Sequence, residues 1–108
     1  MTVKELAQQE GIRALVLTEP ERVIRGAYAG DLLSWVMGKA PADAVWMTIM
    51  SNLNICAVAS LTDVACVLLT EDVVPDQSVL DTASQRGINL LTTKLDTYEA
   101  SLFIGAML

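Results

Sequence analysis

The stretch Val45–Thr70 constrains the fold of this chain more than any other, because it holds two long apolar runs. A short polar break at Ser51, Asn52 and Asn54 separates the two runs. The second run, Val64–Thr70, shows no alternation of polar and apolar residues, which is typical of a strand that helices cover on both faces. We interpret the stretch as strand, loop, short helix and strand in the middle of a small α/β sheet.

The rest of the chain alternates between helix and strand signals. Thr2 and Glu5 form a T-x-x-E capping box at the start of a first helix, which Gly11 is placed to end. Strands are predicted over 12–17, 21–28, 45–50, 64–70 and 88–91, and further helices over 31–38, 52–61, 76–86 and from 96 to the last residue. Helices between strands imply right-handed parallel crossovers. The sequence therefore predicts an α/β fold for a single domain over residues 1–108, with a mostly parallel sheet of about five strands and helices on both faces.

The charge and hydropathy of the chain argue against several classes of protein. A net charge of −6 without a cluster of basic residues argues against binding of nucleic acid or of an anionic membrane surface. No uninterrupted apolar run approaches the roughly 20 residues that a membrane-spanning helix needs. The first residues lack the charged-then-apolar plan of a signal peptide, so the expected location is the cytoplasm.

The sequence offers few groups for catalysis. It contains no histidine, which excludes Ser-His-Asp and Cys-His sites and histidine-based metal sites. It also lacks the G-x-x-x-x-G-K-[ST] pattern of a phosphate-binding P-loop. The carboxylates of Asp31, Asp76 and Asp96 stand at predicted helix starts, where capping explains them better than catalysis. We predict no catalytic residue, no metal ligand and no cofactor, and an enzyme is only a remote alternative.

Polar residues follow three of the predicted strands at their carboxyl ends, which is where ligands bind in parallel α/β sheets. Hydroxyls, amides, a lysine and helix N-termini together can hold an anion or an adenine nucleotide. Helix capping and ordinary loop polarity explain the same residues without a ligand. The predicted ligand-binding residues are Ser51, Asn52, Asn54, Thr92, Thr93 and Lys94.

The high apolar content of the chain has two compatible interpretations: a sheet buried on both faces, and apolar surface that a partner covers. Hydrophobic residues make up 53% of the sequence, and the last predicted helix is apolar nearly all round. Such a helix is usually packed on more than one side. We predict a homodimer whose interface includes Trp35, Phe103, Met107 and Leu108.

Four segments carry a resemblance to a known family: Y-A-G-D-L-L-S at 28–34, W-M-T-I at 46–49, N-I-C-A-V-A at 54–59, and G-I-N-L-L-T-T ending at Thr93. With them, nearly the whole chain resembles the DRTGG domain, which is similar to the N-terminal domains of HPr kinase/phosphorylase and of Mur ligases. The resemblance implies a small α/β domain with regulatory or subunit-association roles and no catalysis of its own. Kinase activity is not implied, because the P-loop half of that kinase is missing, as is the literal D-R-T-G-G string.

Three functional hypotheses follow. The first is a non-catalytic regulatory or assembly domain in bacterial metabolic or signalling control, which acts through homodimerisation and contacts with a protein partner encoded nearby. The second is a domain that senses a small ligand, an adenine nucleotide or an anion. The third, an enzyme, has the least support in the sequence.

Overall fold

The computed structural model describes all 108 residues and contains one sheet. The strands are β1 (Ile12–Val16), β2 (Gly26–Ala29), β3 (Ala44–Thr48), β4 (Cys66–Leu69) and β5 (Leu90–Thr93). The helices are α1 (Val3–Ala7), α2 (Leu33–Lys39), α3 (Asn54–Thr62), α4 (Gln77–Gln85) and α5 (Thr97–Met107).

The strand order is β1-β5-β4-β3-β2, so β1 and β2 form the two edges of the sheet. Strands β2 to β5 run parallel to one another, and β1 alone runs antiparallel, beside β5. The chain crosses from one edge of the sheet to the other between β1 and β2 without a helix. The predicted fold, a mostly parallel sheet of five strands, is confirmed.

Helices cover both faces of the sheet and divide the core into two layers. Helices α2, α3 and α4 bury Val36, Ile55 and Val79 on one face. Helices α1 and α5 bury Leu6 and Ile104 on the other. Successive residues of a strand point to opposite faces of the sheet, so each central parallel strand contributes side chains to both layers of the core. We call these the α2–α4 layer and the α1–α5 layer.

The two central strands carry the largest part of the core. All residues of β3 and β4 are buried, as the unbroken apolar runs predict. Trp46 of β3 is fully buried, and its indole Nε1 donates a hydrogen bond to the carbonyl oxygen of Gly30 at 2.9 Å. The largest core side chain thus also fixes the chain at the carboxyl end of β2.

Asn89, which precedes β5, joins three separate segments of the chain. The side chain is only 2% exposed. Its Oδ1 accepts hydrogen bonds from the backbone amides of Thr18 and Glu19, both at 2.9 Å. Its Nδ2 donates to the carbonyl oxygens of Glu19 at 2.9 Å and Ala65 at 3.1 Å. All the hydrogen-bonding capacity of the amide is directed at backbone groups, which ties the loop after β1 to the start of β4.

Arg22 performs a similar role at the amino ends of the parallel strands. Its guanidinium contacts Oδ1 of Asp43 at 3.0 Å and Oδ1 of Asp63 at 2.9 Å. Both aspartates have left-handed backbone conformations, with φ of 63° and 56°. Partial burial alone would lower the pKa of Arg22, but the hydrogen bonds to Asp63 and Asp43 outweigh it and raise the pKa above its usual value. The ion pairs therefore hold two strained turns in place.

Two local predictions are wrong. Strand β2 begins at Gly26 rather than at residue 21, because residues 21–25 belong to the segment that crosses the sheet. Asp31 does not cap α2, whose N-cap is Leu32. Its Oδ1 instead accepts hydrogen bonds from the hydroxyl of Thr48 at 2.8 Å and the amide of Ile49 at 3.0 Å. The carboxylate satisfies the end of the neighbouring strand, which a sequence pattern does not reveal.

Candidate functional site

The carboxyl ends of β2, β3, β4 and β5 lie side by side along one border of the sheet, which we call the carboxyl edge to distinguish it from the edge strands β1 and β2. A row of buried threonines lies along this carboxyl edge. Most of their hydroxyls are used within the protein. Thr48 bonds Asp31, Thr70 lies 2.7 Å from the hydroxyl of Thr97, and Thr93 accepts from the amide of Leu95 at 3.3 Å. This part of the edge is therefore bonded internally and leaves few groups for a ligand.

A cleft of about 640 Å³ opens at the β1 side of the same edge. Its size lies within the range of small-molecule sites. Three of the predicted ligand-binding residues, Thr92, Thr93 and Lys94, line the cleft. The antiparallel pairing of β1 with β5 places Arg13 opposite Thr92 and so brings a second cation to the cleft.

Charges of both signs face the cleft. Arg13 and Lys94 line it together with Asp72 and Glu99. The ion pairs of the protein all involve Arg22 or Arg25, so neither cation of the cleft is neutralised by a direct partner. Two cations and two anions suit a ligand of low net charge better than a polyphosphate.

The loop after β4 closes one side of the cleft in an unusual backbone conformation. Glu71 and Asp72 are both left-handed, with φ of 59° and 57°. Their amides donate to the carbonyl oxygens of Leu95 at 2.7 Å and Thr93 at 3.0 Å, which fixes the loop across the end of β5. Two consecutive left-handed residues other than glycine are uncommon, and these hydrogen bonds compensate for them.

The other half of the predicted ligand site lies elsewhere on the edge. Ser51, Asn52 and Asn54 follow β3 and are not among the residues that line the cleft. Asn52 Oδ1 accepts from the amide of Asn54 at 3.0 Å, and its carbonyl oxygen accepts from Ile55 at 3.2 Å. These bonds form a turn just before α3. The N-cap of α3 is Leu53, without a side-chain cap bond, so neither of the predicted caps, Asn52 and Asn54, occupies that position.

The four residues predicted for a dimer interface do not share one surface. Trp35 is 59% exposed on α2, in the α2–α4 layer. Phe103 and Met107 are half-buried against the α1–α5 layer, where they contribute to the core, and Leu108 is exposed beside them. The crossover that carries α2 to one face of the sheet separates it from α5 on the other.

Apolar side chains remain uncovered on both helical layers. Leu32 and Trp35 protrude at α2, and Tyr98 and Leu102 protrude from α5. Glu99 is the only charged residue of α5, so the outer face of this helix is almost free of charge. Tyr98 and Leu102 are four residues apart and therefore lie on the same face of α5.

The two thiols are unsuited to chemistry. Cys56 and Cys66 are buried in different layers, on opposite faces of the sheet. Burial raises the pKa of Cys56 and raises that of Cys66 to about 12, so both remain protonated at neutral pH.

No group of three acidic or cysteine side chains is arranged to hold a metal ion. None of the five helices has the length and hydrophobicity to cross a bilayer.

The family model of the DRTGG domain matches residues 42–107, which is more than half of the chain. The protein belongs to the DRTGG domain family. The match begins just before β3 and includes the central strands, the carboxyl edge and α5, and it confirms the resemblance seen in the sequence. No curated protein matches the chain.

The DRTGG fold is also found among solved structures. The chain is similar to the CBS and DRTGG domains of the regulatory region of Clostridium perfringens pyrophosphatase, whose structure is a complex with the activator diadenosine tetraphosphate. The TM-score is 0.70 and the sequence identity is 14%. The match covers 95% of this chain and 45% of the other, so this chain spans less than half of the pyrophosphatase region. At this identity the similarity concerns the fold alone.

Proposed function

We propose that this DRTGG protein is a non-catalytic regulatory and assembly module, which forms a homodimer and binds a protein partner. The observation that carries the proposal is the uncovered apolar surface on both helical layers, at Leu32 and Trp35 of one layer and Tyr98 and Leu102 of the other. The fold supports it, because one solved structure of the same fold is a regulatory region. The protonated thiols and the lack of histidine leave neither a thiolate nucleophile nor an imidazole general base.

The mass of the protein in solution tests this proposal, with Trp35 as the probe. We expect a concentration-dependent dimer, and we expect Trp35→Ser to weaken it about tenfold or more, because exposed tryptophans dominate interface energies. Sedimentation equilibrium from micromolar to hundreds of micromolar measures both effects. Leu61→Ser is the matched control, because Leu61 is 73% exposed on α3, which connects β3 to β4 away from the sheet edges. A wild-type monomer at every concentration would refute homodimerisation.

The cleft favours a second function, sensing of a small anion or an adenine nucleotide. Its support is the pair of unpaired cations, Arg13 and Lys94, beside the hydroxyl-bearing end of β5. The balanced charge of the lining favours inorganic phosphate or a mononucleotide over the tetraphosphate that activates the clostridial pyrophosphatase. Such a ligand would make the assembly module responsive to a metabolite.

Thermal unfolding with added phosphate, AMP, ATP and diadenosine tetraphosphate tests the cleft. A ligand at ten times its Kd is expected to raise Tm by about 5 °C or more for a chain of this size. The variant Arg13→Ala/Lys94→Ala is expected to abolish the rise. Asn54→Ala is the control, because Asn54 is a predicted ligand residue that lies outside the cleft. Loss of the rise in Asn54→Ala alone would place the ligand at the end of β3 instead, and no rise with any of these compounds would remove this second function.

A further inference from the structure

The two edges of the sheet differ in how they are protected against pairing with another strand. The β1 edge carries Arg13 and a register irregularity between Ala14 and Val16, two features that discourage edge-to-edge association. The β2 edge, Gly26–Ala29, has no charged residue and no proline, its register with β3 is unshifted, and its outer side has no partner strand. The β2 edge is therefore open to a further strand.

The backbone of β2 is held in a ladder that extends beyond the strand itself. The amide of Arg25 donates to the carbonyl oxygen of Asp43 at 2.8 Å, and the amide of Gly30 donates to that of Met47 at 3.1 Å. Residues 26–29 thus lie along β3, and the bonds of Arg25 and Gly30 fix the two ends of the segment. Amides five residues apart point to opposite sides of a regular strand, so the alternation is interrupted once between Arg25 and Gly30. The segment is positioned on its inner side and unpaired on its outer side, which is the arrangement that strand addition requires.

The sequence of this segment, R-G-A-Y-A-G-D from Arg25 to Asp31, is symmetric about Tyr28 except that its two ends carry opposite charges. In an antiparallel pair of two such strands centred on Tyr28, glycine faces glycine and alanine faces alanine. The charged ends of the segment, Arg25 of one copy and Asp31 of the other, then lie next to each other at both ends of the pair. Cross-strand neighbours in antiparallel pairs lie about 4.5–5.5 Å apart, so opposite charges at these positions attract.

Both charged residues are available for such a pair. Arg25 is 69% exposed, and its one ion pair, with Oδ2 of Asp43, is long at 4.0 Å. Asp31 is exposed and directs Oδ1 at β3, whereas its Oδ2 is in none of the hydrogen bonds or ion pairs of the chain. The small residues between them leave room for close approach of a second backbone.

We propose that two copies of this chain pair antiparallel through their β2 strands about a two-fold axis at Tyr28, forming a continuous ten-stranded sheet closed by two Arg25–Asp31 ion pairs. This inference rests on the homodimer of the proposed function and names its interface: the β2 strands pair at its centre, and α2, which begins two residues after Asp31, brings Trp35 to its margin. The symmetry of the segment and the opposite charges at its two ends favour a second copy of the chain as the strand that pairs with β2. The exposed outer face of α5 then remains free for the protein partner.

Charge reversal tests the pairing by sedimentation equilibrium of the full-length chain. Arg25→Asp and Asp31→Arg are each expected to raise the dimer Kd about tenfold, because two attractive contacts become repulsive in each homodimer. An equimolar mixture of the two variants is expected to form a heterodimer with a Kd within about threefold of wild type, since both contacts are then again of opposite charge. The chain with both substitutions is expected to regain wild-type affinity.

Folding is checked independently by thermal unfolding, because Asp31→Arg also removes the acceptor for Thr48 and Ile49. Asp31→Asn keeps an acceptor oxygen without the charge, and its Kd is expected to lie between those of wild type and Asp31→Arg. A wild-type dimer whose Kd is unchanged by Arg25→Asp, or variants that do not rescue one another, would overturn the β2 pairing and leave the homodimer in place. A wild-type monomer would overturn both.

Discussion

Replacement of Asn89 by alanine is expected to lower the free energy of unfolding by about 3–5 kcal/mol, a large part of the 5–15 kcal/mol typical of a small domain. The substitution removes four hydrogen bonds at once and leaves the amides of Thr18 and Glu19 and the carbonyl oxygen of Ala65 without a partner, whereas the carbonyl oxygen of Glu19 keeps the amide of Arg22. Urea denaturation followed by circular dichroism, at one fixed protein concentration, measures the change. Asn54→Ala is the control, since Asn54 is exposed, and it is expected to change stability by less than about 0.5 kcal/mol.

Asn89→Asp separates the accepted bonds from the donated ones. Its shape is nearly unchanged and one oxygen still accepts from Thr18 and Glu19, but the second oxygen faces the carbonyl oxygens of Glu19 and Ala65. Burial and these carbonyls favour the protonated acid, so the folded-state pKa lies above the unfolded value of about 4. Stability is therefore lost as pH rises through the folded pKa and is recovered toward pH 4. A variant as stable as wild type at pH 7 would show that the donated bonds contribute little.

Trp46→Ala is expected to destabilise the protein by a comparable 3–5 kcal/mol, because it opens a large cavity between the strands and the α2–α4 layer. Trp46→Phe is expected to cost less, about 1–3 kcal/mol, through the lost volume and the lost bond to Gly30. Since Gly30 follows β2 directly, Trp46→Phe is also expected to weaken the attachment of the chain at the carboxyl end of β2.

The chain supplies its own control, because it contains two tryptophans. Trp35 is 59% exposed, and Trp35→Ala removes little buried surface, so its effect on unfolding is expected to stay below about 1 kcal/mol. Trp35→Ala leaves only Trp46 to report unfolding by fluorescence. Equal destabilisation by the two alanine variants would contradict the burial that distinguishes them.

The central strands of the fold were predictable from the sequence because strands buried on both faces consist of unbroken apolar runs. Residues 66–69 lie in such a run and are buried on both faces, and the helix that follows β3 buries Ile55 and Val58 as helical spacing predicts. The edges were harder to predict. A strand such as β1 carries no local sign of its direction, since pairing with β5 depends on a partner more than seventy residues away.

The candidate site was only half predictable for the same reason. Lys94 and its neighbours were identified because they follow a strand, but Arg13 joins them only through the antiparallel direction of β1. Asp31 was predicted as a helix cap because aspartate before an apolar helical pattern usually is one, and its bonds to β3 are long-range. Patterns of local spacing predict elements and caps, whereas a site is assembled from contacts distant in sequence.

Association through β2 is tested most directly by amide hydrogen exchange of residues 26–30, measured by NMR at a low and a high protein concentration. The paired dimer predicts outward-facing amides that exchange about tenfold or more slowly at the high concentration, because they become hydrogen-bonded to the second copy. The outer amides of β1, at the opposite edge of the sheet, are the internal control and should exchange equally at both concentrations. Exchange in β2 that does not depend on concentration, while the protein sediments as a dimer, would contradict the edge-to-edge pairing.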